Sequence, residues 1–94
     1  MNITEIIWIE DIAEKLILKH NVKEQEVIEI LKNRPTFRFV EKGHRKGENV
    51  YAALGQTSSG RKLIVFFVYK GGKQALIVSA RDMTKFERKK YEQS

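Results

Sequence analysis

The sequence predicts an α+β fold: an N-terminal strand, two helices, an antiparallel four-stranded meander and a C-terminal helix. Three observations lead there. Apolar residues recur at helical spacing between residues 9 and 31. After Pro35 the period changes to two. A Gly71-Gly72 pair then joins two strongly apolar runs, which makes the second return antiparallel to the first.

Each element has its own reason. "EIIWIE" clusters three isoleucines with Trp8 and reads as a short strand. Ile9, Ile12, Ala13, Leu16, Ile17 and His20 then share one side of a helix over about Glu10–His20. Asn21 stops it, because Asn tolerates the left-handed conformation. A second helix, about Lys23–Asn33, carries its apolar stripe on Val27, Ile28, Ile30 and Leu31, and Pro35 forbids its continuation. "TFRFVEKG" alternates Phe37 and Phe39 with polar neighbours, and "NVYAALG" follows as a second strand. "RKLIVFFVYK" is apolar almost throughout, as a strand covered on both faces would be. "QALIVSAR" returns from the glycine turn. Thr84 and Glu87 form a T-x-x-E capping box that opens the last helix, with Phe86 expected to dock it on the sheet.

A chain of 94 residues makes one domain, 1–94. It buries only roughly 60–65% of its unfolded-state surface, so an open groove or flat face is a better expectation than a deep cavity. With no cysteine, disulfides, thiolate metal sites and a Cys nucleophile are excluded, which fits a reducing cytoplasm. The first residues lack a basic n-region and an apolar h-region, and the longest apolar run, Leu63–Tyr69, is too short to span a bilayer, so no signal peptide and no membrane are expected.

Charge is distributed unevenly. The net +6 divides into −3 over residues 1–33 and +9 over residues 34–94. Such asymmetry suits a polyanion or an acidic protein partner. His20 and His44 have no carboxylates at ligand spacing, so no metal is expected. Neither phosphate-loop nor dinucleotide fingerprints occur, so no cofactor is expected. What remains is arginine, lysine and tyrosine. Lys85, Arg88 and Lys89 share a face of the last helix at i, i+3 and i+4. Cations near a helix C-terminus complement its dipole, but that does not account for Arg81, which precedes the helix. A guanidinium at a strand end suits phosphate, because its planar fork makes two parallel hydrogen bonds. Arg61 opens the apolar strand in a similar way. "EKGHRKGEN" places Arg45 and Lys46 in a basic loop. Tyr91 closes the basic helix, where it either packs on the sheet or reaches a substrate.

Taken together, "WIED", "KHNV" (Lys19, His20), "GRKLIVFFVY" (Gly60, Arg61), "IVSAR" (Ser79, Ala80, Arg81) and "FERKKYE" (Glu87, Arg88, Tyr91) resemble the BrnT family of bacterial toxins. The resemblance runs from Trp8 to Glu92. Asn21 stands at a position where the family usually has glycine, and "ENVY" puts Val50 at a position where it often has arginine. The resemblance implies a RelE-like fold and metal-independent endoribonuclease activity on RNA. It also implies neutralisation by a BrnA-like ribbon-helix-helix antitoxin, whose complex with the toxin binds promoter DNA through the antitoxin. On that reading Arg61 and Arg81 bind the scissile phosphate. His20, Glu87 and Tyr91 are the candidates for moving protons. Lys85, Arg88, Lys89, Arg45 and Lys46 follow the RNA backbone. A non-catalytic nucleic-acid binder or a protein-interaction module on the same basic face is the alternative, and charge pairing makes that face the natural place for the antitoxin.

Overall fold

The period-two segments form four strands of one sheet, and the fifth comes from the N-terminus. A computed structural model describes residues 1–93, with the order β1 (Glu5–Ile7), α1 (Glu10–His20), α2 (Glu24–Lys32), β2 (Thr36–Glu41), β3 (Val50–Gln56), β4 (Lys62–Lys70), β5 (Gln74–Asp82) and α3 (Lys85–Glu92). Strands β2 to β5 form the expected antiparallel meander. β1 joins it parallel to β5, with Glu5 opposite Gln74 and Ile7 opposite Leu76, so the sheet order is β1-β5-β4-β3-β2. Nothing local in the sequence shows this pairing, since its two strands are separated by nearly the whole chain.

The helix ends follow from local chemistry. Asn21 adopts φ 53° and ψ 39°, and its N–H donates to the Ile17 carbonyl. Val22 closes the same turn onto Leu16. At α3, Thr84 Oγ1 accepts from the Glu87 N–H while the Glu87 carboxylate accepts from the Thr84 N–H. The hairpin between β4 and β5 is one residue longer than the glycine pair. Lys70 pairs with Gln74, and both Gly72 (φ 77°) and Lys73 (φ 64°) take the left-handed conformation.

The main core lies between the helical pair and one face of the sheet. Leu16, Val22, Val27, Ile30 and Leu31 pack against Ala53, Leu63, Val65, Phe67, Ala75 and Ile77. Gly55 lets α2 approach β3: a Cβ there would lie 3.3 Å from an Ile30 methyl. The second face carries a smaller cluster of Ala52, Leu54, Ile64 and Met83, with Phe66 and Tyr91 packed against it. Phe86 does not dock α3, being 67% exposed. The helix is fixed instead by Tyr91, by an Arg81–Glu87 ion pair and by a Lys62–Glu92 ion pair. Among the described residues no helix is long and apolar enough to cross a membrane.

Candidate functional site

Arg61 sits at the end of a tight turn. The Thr57 N–H donates to the Arg61 carbonyl at 2.8 Å, and the Arg61 N–H donates to Thr57 Oγ1 at 3.0 Å. So held, its guanidinium is saturated. Nε and Nη2 donate to the two carboxylate oxygens of Asp82 at 2.8 and 3.2 Å. Nη1 donates to Glu26 at 3.1 Å and to the Asn21 carbonyl at 2.6 Å, and Nη2 to the His20 carbonyl at 3.0 Å. The last two acceptors are free carbonyls at the C-terminus of α1, where a cation is favoured. Arg61 therefore ties the helical pair to β4 and β5. The Asp82 hydrogen bond raises the Arg61 pKa, and the same bond lowers that of Asp82.

Arg81 lies on the opposite face. Strand neighbours alternate sides. Asp82 is opposite Leu63, which belongs to the main core, and Arg81 is opposite Ile64, which belongs to the second cluster. The Arg81 guanidinium stands over the Phe66 ring at 5.5 Å. Its Nη1 and Nη2 donate to the two oxygens of Glu87 at 2.7 and 3.0 Å, and Nη1 also reaches the Asp82 carbonyl at 3.2 Å. Among the described residues nothing accepts from Nε–H or from the second Nη2 hydrogen. Those two form the side fork of the guanidinium, and the side chain is 34% exposed.

This separation corrects the expectation that Arg61 and Arg81 close on one phosphate. They are near in the register, but one residue of phase sends them to different faces. The other candidates sort in the same way. His20 is exposed at the end of α1, on the Arg61 side, and not packed as the apolar stripe suggested. Glu87 and Tyr91 lie with Arg81. Arg81, followed by the Thr84 hydrogen bonds, holds the Glu87 pKa down at about 2 despite partial burial. A carboxylate that low stays ionised throughout the physiological range. It positions Arg81 and caps α3, and as a proton carrier it is poorly matched to neutral pH.

Lys85, Arg88 and Lys89 are exposed along α3. Arg88 borders a shallow depression with Gly60, Lys62, Asp82 and Met83. Arg45 and Lys46 lie in the exposed 42–49 loop, which closes on itself through the Glu48 N–H and the Arg45 carbonyl. That loop meets β3 at Val50, four residues from the Leu54 level of Arg81, or about 13 Å along the strand.

One residue escaped the sequence reading. Arg38 is opposite Ala52, which is opposite Phe66, so it shares the second face with Arg81 and is exposed. The alternation in "TFRFVE" was the available signal, since it puts Arg38 on the side away from Phe37 and Phe39. α3 covers only the Arg81 end of this face. Val50, Val68 and Leu76 remain half-buried beyond it. The result is a shallow strip with an apolar floor of Val50, Phe66 and Val68 and guanidinium groups at two of its borders. Such a surface suits an extended chain with charged backbone and flat side groups.

A small α+β domain with a helical pair on one sheet face and a half-open basic second face is the class of protein these features define. The family model described as "Ribonuclease toxin, BrnT, of type II toxin-antitoxin system" matches residues 8–87, and the chain belongs to this family. Among solved structures, it is similar to the crystal structure of the Brucella abortus ribonuclease toxin BrnT, with 18% identity and a TM-score of 0.59 over 87% of this chain and 100% of that one. At that identity the likeness speaks to the fold, and it matches the arrangement of three helices and a five-stranded sheet. No curated protein matches the sequence.

Proposed function

We propose that this protein is the toxin of a type II toxin–antitoxin pair and cleaves RNA on the second face of its sheet. The observation that carries this reading is the side fork of Arg81, which is unpartnered among the described residues while Glu87 grips the other edge of the same guanidinium. A phosphate meeting Nε–H and Nη2–H makes two parallel charge-assisted hydrogen bonds without breaking the Glu87 pair. The face is also open to a strand of RNA, whose bases rest on the half-buried apolar strip of Val50, Val68 and Leu76 and whose neighbouring phosphates meet Arg38 and the cations of α3.

In the reaction, the ribose 2′-oxygen attacks the adjacent phosphorus and the P–O5′ bond breaks. The products are a 2′,3′-cyclic phosphate and a 5′-hydroxyl. The 2′-OH proton passes to a base and another proton reaches the leaving oxygen, so atoms and charge balance without a metal. Arg81 stabilises the charge that grows on the equatorial oxygens. Tyr91 packs on the same face, and with Glu87 held ionised it is the proton-handling candidate there. Arg61 acts through architecture alone. The protein works in the cytoplasm and is neutralised by a BrnA-like ribbon-helix-helix antitoxin, which also carries the complex to promoter DNA.

The test is RNA cleavage in EDTA by the parent, Arg81→Ala and Arg81→Lys. The parent cuts and leaves cyclic-phosphate ends, and Arg81→Ala stays folded and loses cleavage. A parent that binds RNA with steep salt dependence but never cuts it supports a non-catalytic binder instead.

A further inference from the structure

The sheet ends at β2, and β3 is the strand beside it. Two bonds just outside the β3–β4 ladder fix its phase. The Tyr69 N–H donates to the Asn49 carbonyl, and the Thr57 N–H to the Arg61 carbonyl. Bonding to one side and the other alternates along an antiparallel strand. Tyr51, Ala53 and Gly55 therefore bond toward β4, and Ala52 and Leu54 bond toward β2. The β2 partners of Ala52 and Leu54 are Arg38 and Thr36, so Phe37 and Phe39 turn their N–H and C=O groups away from the sheet. Among the described residues no loop, cap or side chain meets any of these groups. The strand is exposed from Arg38 to Glu41, and Phe39 is 57% exposed. A bulge between Phe39 and Glu41 ends the regular edge there.

The two sides of this edge differ in chemistry. Phe37 and Phe39 lie on the helical face, opposite Ala53 and Tyr51. A cavity of about 600 Å³ opens beside Phe37, with buried Ile3 and Leu31 as its floor and Lys32 and Arg34 at its rim. Phe39 meets Tyr51 edge to face, with ring centroids 5.7 Å apart. Arg38 lies on the second face, opposite Ala52. Between residues 32 and 46, the six cations Lys32, Arg34, Arg38, Lys42, Arg45 and Lys46 stand against one acid, Glu41. Among the described residues none of the six is in an ion pair. An accessible edge with apolar side chains is a template for another chain, and its charge selects an acidic one.

We infer that the outer edge of β2 binds an extended acidic segment of a protein partner. The segment adds antiparallel to β2 as a further strand over Thr36–Phe39. Its apolar residues, on the helical side, meet Phe39 and enter the cavity beside Phe37. Its carboxylates, on the other side, lie against Arg38, with Arg34 and Lys42 just beyond the two ends. Main-chain bonds give such a complex its affinity and side-chain pockets its specificity. RNA has no backbone of alternating donors and acceptors to match this edge. A second copy of this chain fits poorly, because an antiparallel pair of β2 edges sets the basic 42–46 segment of each copy against Lys32 and Arg34 of the other. The inference uses the toxin reading only for the expectation of a protein partner. It puts that partner at the rim of the sheet and not over the second face, where charge alone had suggested it.

The probe is a fluorescein-labelled peptide of alternating Glu and Val, with a Lys–Val peptide as control. Anisotropy reports binding, and amide hydrogen exchange reports its place. The acidic peptide binds saturably and slows exchange at Phe37 and Phe39, while the Arg38 amide, already bonded to β3, changes little. Arg34→Glu with Lys42→Glu weakens binding about tenfold, because reversed charge meets the carboxylates. The same peptide N-methylated along its backbone does not bind, and neither does the Lys–Val peptide. The inference is overturned if the acidic peptide fails to bind, if it binds without protecting Phe37 and Phe39, or if N-methylation leaves its affinity unchanged. Protection around Arg81 and α3 instead marks the peptide as an RNA mimic on the second face and overturns it too. Protection of Phe37 and Phe39 by concentration-dependent dimerisation of the free protein overturns it in favour of a second copy. RNA cleavage is read on the protein without peptide, so the toxin reading stands or falls separately.

Discussion

The two faces of the sheet use the same side chain for opposite ends. On the helical face, Arg61 spends every donor on Asp82, Glu26 and two helix carbonyls. On the second face, Arg81 is gripped along one edge by Glu87 and keeps the other edge open. A saturated guanidinium holds a structure together and offers nothing to a ligand. A half-satisfied one is pre-oriented and still has directed donors. The difference teaches that a basic residue at a strand end is read by its remaining donors, not by its charge.

The contrast is sharpened first by catalysis. Arg81→Ala should lower the rate of RNA cleavage by about 10²–10³-fold, the usual effect of removing a positioned donor from a developing anion, at temperatures where circular dichroism shows the variant folded, although its melting point falls because Glu87 loses its partner. Next comes stability. Arg61→Ala leaves Glu26 and Asp82 unpaired and uncaps α1, and should cost about 2–3 kcal/mol in urea unfolding. Any loss of cleavage by this variant should recover at temperatures where it is fully folded.

The third effect depends on pH. The Glu87 pKa is depressed in the folded protein, from 4.5 to about 2. Its contribution is therefore present above pH 4.5 and is lost as pH falls toward 2. Allowing for solvent screening, that contribution is about 2 kcal/mol. Glu87→Gln should flatten this part of the stability curve, measured by denaturant unfolding across that range. Smallest is Arg38→Ala. It should weaken RNA binding by about 1 kcal/mol or less and reduce the slope of log affinity against log salt by about one.

Much of the fold was legible because its signals are local. Asn21 ended α1, Pro35 marked the change of period, and Thr84 with Glu87 opened α3 as the capping box requires. Where the signal is non-local, the sequence was silent. β1 finds β5 across the whole chain, and no pattern in three residues says so. Phe86 illustrates a different limit, since α3 is held by ion pairs and Tyr91, so its aromatic residue was free to face solvent. The site was half legible. Arg81 stands before the helix, where the dipole of α3 gives no reason for a cation, and the sequence alone marks it on that ground. Arg61 does not join it, because the choice of face depends on the phase of two strands, and sequence proximity to a turn does not fix that phase. Arg38 needed the same phase to be noticed.

The central claim is that RNA phosphate meets the side fork of Arg81 and leaves Arg61 untouched. It is tested most directly by following the arginine Nε–H resonances during titration with a 2′-O-methyl RNA oligonucleotide, which cannot be cleaved. The account predicts that the Arg81 Nε–H signal shifts and becomes protected from exchange while that of Arg61 holds its position. Movement of the Arg61 signal with Arg81 unchanged would contradict it.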